Sequence, residues 1–413
     1  MPVQDSTPTL LRQHRPFMVF WCARIASGFA FQMLSVAVGW QIYAITGRAL
    51  DLGLIGLVQF APSLLLALPA GHLADQFNRR RIVAVCQFVE ALGVAALALG
   101  SVTGVFGELQ ILAAVLVIGV ARAIESPARQ ALLPGLVPAS VLGRALAVNS
   151  SAGQMAMIVG PALGGFIYIA GPAAVYTVST VLYAAAVVFL WRLEYHHRPP
   201  RRQPASVRTL LAGVRYIRGH PVVLGALSLD LFAVLLGGAT ALLPIFAHDI
   251  LHTGPWGLGL LRAAPAIGAL GMSVWLAHHA LKRHVGMIMF VSVACFGAAT
   301  LVFALSTSLL LSMAALCALG AFDMISMVIR GALVQLETPD DMRGRVSSVN
   351  SIFINTSNQL GEFESGITAA WFGAVPAVLI GGFGTLIVCA LWMHWFPSLR
   401  RRQHLQSDSP GGA

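Results

Sequence analysis

The chain repeats part of its own sequence at a constant offset. The segment 129–150 reads RQALLPGLVPASVLGRALAVNS, and 201 positions later the segment 330–351 reads RGALVQLETPDDMRGRVSSVNS. The first arginine, a Gly-Arg pair and the final Val-Asn-Ser stand in register in both copies, and no gap is needed to align them. A long internal period of this kind indicates that one structural unit was duplicated. We therefore expect two equivalent halves.

The composition places these halves in a membrane. Of the 413 residues, 57% are hydrophobic and only 10% are charged, whereas soluble domains carry roughly 25% charged residues. The five cysteines are scattered through apolar segments without a Cys-x-x-Cys pair, so neither a disulfide framework nor a metal site is expected. The sequence therefore predicts a membrane protein without a cofactor.

Twelve segments are long and apolar enough to cross a bilayer, which takes about 20 mostly apolar residues. They are predicted at 17–44, 52–74, 82–102, 109–128, 146–169, 173–192, 221–247, 257–280, 285–305, 308–331, 347–371 and 374–396. Helices are the expected element because lipid offers exposed backbone groups no hydrogen-bond partners. The sequence thus predicts an all-α membrane protein with an N-terminal six-helix bundle at 1–192, a cytoplasmic linker at 193–220, a C-terminal six-helix bundle at 221–399 and a disordered cytoplasmic tail at 400–413.

The basic residues predict the orientation in the membrane. If the N-terminus is cytoplasmic, nearly all of the 26 lysines and arginines fall in inside segments, and Arg48 stands alone in the outside loops. Because basic residues favour the cytoplasmic side, both termini are expected in the cytoplasm. The same distribution explains the formal net charge of +10, so a nucleic-acid partner is not expected.

The linker contains a helical pattern of its own. Apolar residues recur at helical spacing from Val207 to Ile217, and the arginines lie off that stripe. The pattern predicts an amphipathic helix that lies along the inner leaflet of the membrane. Its role stays open between a simple tether that joins the halves and a regulatory element.

A short loop between the second and third segments carries Gly71, Asp75, Asn78 and Arg79. Gly71 is expected to let neighbouring helices approach, Asn78 to adopt a left-handed conformation, and Asp75 to pair with arginine or to stabilise a helix N-terminus. The loop resembles the signature loop of the major facilitator superfamily, although Gln76 replaces a basic residue and Asn78 replaces a glycine. The resemblance implies that Asp75 and Arg79 belong to a charge relay that stabilises the outward-facing state.

The fifth segment carries a second pattern of the same superfamily. Gly160, Pro161, Gly164 and Gly165 resemble its Gly-Pro-x-x-Gly-Gly antiporter motif, and Ala156 stands where the full motif has an earlier glycine. Small residues allow tight helix packing, and proline bends a helix. We therefore expect a close helix contact at these positions.

Two further segments indicate a branch of the superfamily. Residues 350–366, together with 127–138, resemble the branch that includes the enterobactin exporter and macrolide-efflux-like proteins, and the resemblance covers nearly the whole chain. It implies the major facilitator fold, two six-helix bundles related by an axis normal to the membrane, with one site between them that opens to each side in turn. It also implies a monomer in a bacterial-type cytoplasmic (inner) membrane.

Ionisable residues inside the predicted spans are candidates for function because a charge at the bilayer centre costs about 2.5–3.5 kcal/mol on insertion scales. In the eleventh segment Ser351, Asn355, Asn358 and Glu362 recur at spacings that place them on one helix face. Glu364 lies about 200° further round the helix from Glu362. Glu362 is therefore expected to face the transport pathway or the contact between the halves, and Glu364 to be a structural partner.

The repeat adds a pair of opposite charges at equivalent positions. Arg122 in the fourth segment corresponds to Asp323 in the tenth, and we expect these residues to neutralise each other or to flank the cavity in one state. Glu125 and Arg129, which follow Arg122 by about one and two helical turns, form either a local ion-pair ladder with it or contacts with substrate. Glu90 and Arg262 carry no motif.

The expected activity is efflux of a small amphipathic molecule, a drug or a siderophore, in exchange for protons. A carboxyl group in a low-dielectric surrounding can take up and release a proton near neutral pH, and Glu362, Asp230 and Glu364 are the candidates. Asp230 and Arg24 lie in helices that line the cavity in the resembling superfamily.

Three other activities are weighed against efflux. Import or uniport of a metabolite is the alternative among transporters, and a membrane sensor or scaffold is the alternative outside transport. The sequence contains no His-Glu-x-x-His motif, no paired-histidine motif and no nucleotide loop. An enzyme is therefore not expected.

Overall fold

The computed structural model describes Leu11 and residues 14–105, 107–195, 207–279 and 283–404. Part of the linker and the end of the predicted tail therefore lie outside the described residues. The described chain forms helices joined by short turns. In chain order these are α1 Arg15–Thr46, α2 Ala49–Leu65, α3 Ala67–Gln76, α4 Arg79–Thr103, α5 Glu108–Leu132, α6 Ala139–Ile167, α7 Pro172–Arg192, α8 Val207–Gly219, α9 Pro221–Leu236, α10 Leu243–Ile245, α11 Pro255–His278, α12 Val285–Leu305, α13 Leu309–Glu337, α14 Asp340–Phe372, α15 Ala374–Trp395 and α16 Pro397–Arg400.

The helices account for the twelve predicted spans. In the described residues, 10 helical stretches are long and apolar enough to cross a membrane, and α2 and α3, bent by 56°, make an eleventh. The twelfth is α14, whose 33 residues exceed the length of a span although polar side chains interrupt its apolar character. Many large apolar side chains on the helices stay exposed, for example Leu92 at 55% and Leu99 at 68% on α4, as expected for surfaces that face lipid.

The seventh predicted span is not one continuous helix. The span predicted at 221–247 is present as a helical stretch at Pro221–Ile250, but α9 ends at Leu236 and the chain continues through a 3₁₀ turn at Ala239–Leu242, α10 and a π-helical turn at Phe246–Ile250. A side chain at Gly238 would meet the backbone oxygen of Gly361 at 2.3 Å. The close approach of α14 therefore requires glycine where α9 breaks.

The chain divides into two compact units, and the division passes through α1 and α2. The N-terminal unit comprises Met1–Val38 and Ala61–Pro204, and the C-terminal unit comprises Gly39–Phe60 and Ala205–Ala413. The end of α1 and most of α2 thus belong with the later helices. The linker helix α8 also belongs to the C-terminal unit.

Each unit has its own apolar core. In the N-terminal unit α4 packs between α5 and α7, and Phe17, Leu132 and Leu190 are among the buried side chains of its core. In the C-terminal unit α13 packs on α11 and α12, and α14 packs on α9. Phe290 and Ile329 are fully buried there. Each core contains aliphatic and aromatic side chains from several helices, which holds the polar residues described below in fixed positions.

The sequence repeat corresponds to a repeated helix contact. On α6 a side chain at Gly160 would meet Gln32 of α1 at 2.6 Å. At the equivalent position on α14, a side chain at Gly361 would meet the backbone oxygen of Leu235 of α9 at 2.8 Å. The fifth span thus packs closely on the first, and the eleventh on the seventh. The duplication therefore conserved a glycine-dependent contact in each half.

The linker helix packs on protein. The predicted amphipathic helix is present as α8, and its Ile217 is only 2% exposed, in a cluster with Val223, Val346 and other apolar side chains. Gly213 lies against the backbone of Arg345 on α14, whereas Leu211 is 60% exposed. Part of the apolar stripe is therefore covered by the C-terminal unit. Its placement along the inner leaflet stays a prediction.

Candidate functional site

Glu362 lies in the contact between α14 and α2. A side chain added at Gly56 of α2 would meet the Glu362 Cβ at 2.9 Å and its Oε2 at 3.0 Å. One turn earlier on α2, Gly53 lies against the backbone of Phe363 and Gly366. The two glycines bring α2 close enough to α14 to place the carboxyl group between the helices.

Arg262 of α11 is the positive charge that faces Glu362. The two side chains interact electrostatically, and both are largely removed from solvent. The guanidinium also lies against α1, because a side chain at Gly39 would meet Arg262 Nη2 at 3.1 Å. Residues from α1, α2, α11 and α14 therefore enclose one acid–base pair inside the C-terminal unit.

Glu364 and Asn358, two further polar residues of α14, have partners on their own helix. Glu364 accepts a hydrogen bond from Thr368 Oγ1 at 2.8 Å, one turn along the same helix. Asn358 donates to the carbonyl of Ile354 at 2.9 Å and is exposed. The side chain of Asn355 lies outside the described residues. Of Asn358, Glu362 and Glu364, only Glu362 has a charged partner on another helix.

A second charged pair joins α9 and α13. Asp230 forms a salt bridge with Arg330, and both side chains are almost completely buried, at 6% and 4% exposed. Because α13 continues to Glu337, Arg330 lies within the helix and its side chain is in the packed part of the C-terminal unit. A proton-coupling role for Asp230 stays a prediction.

Asp323 lies beside this pair. A cavity of about 10 Å³ is lined by Asp230, Asp323 and Ser326, together with apolar residues of α9, α12 and α13. A volume of this size holds about one water molecule, and the polar groups around it supply hydrogen-bond partners. The structure therefore brings two of the predicted acidic residues to one polar cavity inside the C-terminal unit.

The N-terminal unit contains a cluster of arginines around one acid. Glu125, 1% exposed, forms a salt bridge with Arg129 at 3.1 Å and accepts a hydrogen bond from Gln87 at 3.2 Å. Arg24 of α1 is within electrostatic reach of Glu125 and of both neighbouring arginines. The Arg122 guanidinium carbon lies 3.4 Å from the centre of the Phe31 ring, a cation–π contact. The predicted ladder on α5 is therefore formed between Glu125 and Arg129.

The residues of the loop motif lie at the end of α3 and the start of α4. Asp75 pairs with Arg79 at 3.7 Å, and Arg79 also donates to the carbonyl of Ala131 on α5 at 3.0 Å. The left-handed conformation expected for Asn78 was wrong: its backbone is extended at φ −65° and ψ 109°, and its side chain caps α4. Gly71 has no described atom within 4 Å of an added Cβ. The close approach that we expected at Gly71 is thus not seen.

The antiporter-like motif forms a tight contact. At Gly164 a side chain would meet the Cα of Met33 at 2.8 Å, Pro161 lies inside α6, and Gly165 is buried. Together with Gly160 these positions hold α6 against α1. The close packing expected at this motif is present, and a role in antiport stays a prediction.

Two site residues were missed by the sequence analysis. Arg262 stands alone in its segment, without a motif or a repeat partner that would indicate Glu362 as its counter-ion. Arg330 did have a signal, because it is identical to Arg129 in the repeat, and Arg129 also forms a salt bridge. Across the described residues, no group of His, Cys, Asp and Glu side chains is arranged to hold a metal ion.

The helical fold and the buried charge pairs define a multi-span membrane transporter of the major facilitator type. The chain belongs to the family described as transmembrane secretion effector, which matches residues 6–409. It is 26% identical over 395 residues to the enterobactin exporter EntS of Citrobacter koseri, a match that covers 95% of this chain and 94% of the relative. The same exporter of Escherichia coli is 26% identical over 399 residues, with 95% and 94% covered.

Solved structures support the same fold. A bacterial homologue of the human lysosomal transporter Spinster superposes with a TM-score of 0.71 at 13% identity, covering 92% of this chain and 95% of that one. The nucleoside transporter NupG gives 0.66 at 16% identity, covering 92% and 99%. The expected fold class and the resemblance to the major facilitator superfamily are therefore confirmed.

Proposed function

We propose that the protein exports a small amphipathic molecule of siderophore or drug type in exchange for protons, and that Glu362 carries the coupling proton. The observation that carries this proposal is the position of Glu362 opposite Arg262 and against Gly56. The names of the enterobactin exporters support a siderophore-type substrate.

The geometry suggests how a proton would act at this site. When Glu362 is ionised, it neutralises Arg262 and ties α14 to α11. When Glu362 is protonated, the guanidinium keeps its charge without that counter-ion, which is costly in a region removed from water. The protonation of one carboxyl group therefore weakens the attachment of α14 to α11, which would allow these two helices to separate.

The matched pair for a test is Glu362→Gln and Glu364→Gln, because the two acids lie two residues apart on one helix. Purified protein in liposomes is given a pH gradient, and movement of enterobactin and of ethidium is followed as two separate probes. We expect Glu362→Gln to abolish gradient-driven movement of the transported probe while Glu364→Gln retains it. Intact gradient-driven transport in Glu362→Gln rules out the coupling role.

The same two probes, followed in cells, separate export from import. In cells, an exporter lowers the internal content of the probe, and an importer or uniporter raises it. A sensor or scaffold leaves both probes unmoved in cells and in liposomes. We expect exclusion of enterobactin or ethidium from cells that express the protein, and loss of that exclusion when Glu362 is replaced by glutamine.

In the proposed orientation the protein lies in a bacterial inner membrane, and both termini are in the cytoplasm. It is tested in a cysteine-free background that carries one new cysteine, either Arg48→Cys or Arg400→Cys. A maleimide that cannot cross the membrane should label the first variant in intact cells and the second only after the membrane is opened. Labelling of Arg400→Cys from outside contradicts the orientation.

A further inference from the structure

Glu90, in the middle of α4, is a buried acid that the proposed mechanism does not use. Its side chain is 0% exposed, and among the described residues its carboxyl oxygens form no hydrogen bond of ordinary geometry, although the side chains of Glu125 and Tyr183 lie within hydrogen-bonding reach. An ionised carboxylate in such a place is costly, because its charge is removed from bulk solvent and no described cation forms a salt bridge with it. The neutral, protonated acid is the form that this surrounding accommodates.

A second acid lies next to it on α5. Glu125 is within electrostatic reach of Glu90, and it has the partners that Glu90 lacks, the salt bridge to Arg129 and the hydrogen bond from Gln87. Two negative charges on neighbouring carboxyl groups that are removed from solvent repel each other. The arrangement therefore favours one negative charge on Glu125 and one proton on Glu90.

The other groups around the pair come from α1, α4, α5 and α7. Tyr183 of α7 is fully buried, and its hydroxyl lies within hydrogen-bonding reach of Glu90. The titratable and charged groups within electrostatic reach of the two acids are Arg24, Cys86, Arg122, Arg129 and Tyr183. Of the cations, Arg122 contacts the Phe31 ring and also acts electrostatically on Glu90, so it is the cation placed to pair with that acid.

We propose that Glu90 and Glu125 form a proton-binding site within the N-terminal unit, separate from Glu362. This inference rests on the proposed proton-coupled transport and adds a second acid to it. Release of the proton requires Arg122 to leave Phe31 and pair with Glu90. The O–H bond of Glu90 then breaks, the proton passes to water, and the negative charge that stays on Glu90 is neutralised by the guanidinium.

Protonation of Glu90 is measured directly by infrared spectroscopy of the full-length protein in lipid nanodiscs at neutral pH. A protonated carboxyl group gives a C=O stretching band that shifts in heavy water. We expect Glu90→Gln to remove such a band and Glu362→Gln to leave that band in place. Glu108→Gln, at the start of α5 in the same unit, is the matched control and should also retain it. A band that persists unchanged in Glu90→Gln overturns the inference.

Glu125→Gln tests the link between the two acids and does not depend on the folding of Glu90→Gln. Without the charge on Glu125, Arg122 and Arg129 lack their counter-ion, and Glu90 becomes the anion that neutralises them. We therefore expect the Glu90 band to be lost in this variant as well. Retention of the full band shows that the two carboxyl groups do not share one proton, which contradicts the proposed site.

Transport distinguishes this inference from the proposed function. If the wild type couples enterobactin or ethidium to a pH gradient, Glu90→Gln should bind the probe and lose the coupling. Full coupling in Glu90→Gln overturns the role of this site while the proposed function stands. If the wild type shows no coupling but the infrared bands behave as expected, proton-coupled export fails and the proton-binding site stands.

Discussion

Arg330 on α13 forms a salt bridge with Asp230 on α9, in the interior of the C-terminal unit. The equivalent residue of the first half, Arg129, also forms a salt bridge, but its partner is Glu125, one turn earlier on the same helix. Both halves of the repeat thus contain the arginine. The acid that neutralises it lies on the same helix in the first half and on a different helix in the second. The Glu125–Arg129 pair stabilises one helix locally, whereas the Asp230–Arg330 pair joins two helices that are far apart in sequence.

The Asp230–Arg330 pair should be important for stability. Removing one partner of a buried ion pair leaves an uncompensated charge and costs about 3–5 kcal/mol, so Asp230→Asn should markedly lower the unfolding temperature of the purified protein. The double variant Asp230→Leu with Arg330→Met should recover much of that loss. Glu194→Gln, at an exposed side chain, serves as the control with a small effect. A double variant no more stable than Asp230→Asn would show that the unpaired charge is not the cause.

The contact between α6 and α1 should not tolerate a methyl group. Gly164→Ala places a Cβ at 2.8 Å from Met33 Cα, and overpacking of this kind typically costs about 1–3 kcal/mol. We expect a lower unfolding temperature and reduced transport. Gly143→Ala on the same helix is the matched control, since nothing described lies within 4 Å of its added Cβ. Equal effects of the two substitutions would argue against steric exclusion.

Asn78 should stabilise the start of α4 through its side chain. Its Oδ1 accepts hydrogen bonds from the backbone N–H groups of Arg80 at 3.1 Å and Arg81 at 3.4 Å. Asn78→Ala should therefore cost about 1 kcal/mol, and Asn78→Gly only a few tenths. Thermal unfolding measures both, and hydrogen exchange locates the change at the first turn of α4. A glycine variant as unstable as the alanine variant would count against the capping role.

The sequence repeat predicts that Arg122 and Asp323 neutralise each other in one state, and this stays a prediction. Each residue has neighbours inside its own unit, a Phe31 ring for Arg122 and a polar cavity for Asp323. If the two charges neutralise each other in one state, Arg122→Asp and Asp323→Arg should each abolish transport, and the double exchange should restore it. The liposome assay measures all three. A double variant as inactive as the single variants makes direct pairing untenable.

Much of the architecture could be predicted because its signals are local. A span needs about 20 apolar residues wherever it packs, so the ends of the helices were predicted to within about seven residues. The break inside the seventh span was not predicted, because it accommodates α14 at Gly238, a contact between residues far apart in sequence. The error at Asn78 is different. Its side chain caps the helix that begins at the next residue, and asparagine at this position is a local capping signal.

The amino-acid sequence alone determined that the chain is helical, crosses the membrane many times and arose by duplication, because hydrophobicity, segment length and internal identity belong to contiguous residues. Only the tertiary structure decided which charged groups act on each other: Arg262 on Glu362, Arg330 on Asp230, and Glu125 on the buried Glu90. The reason is physical. A buried charge is neutralised by whatever group lies within a few ångströms, and in a helical bundle that group commonly comes from a different helix.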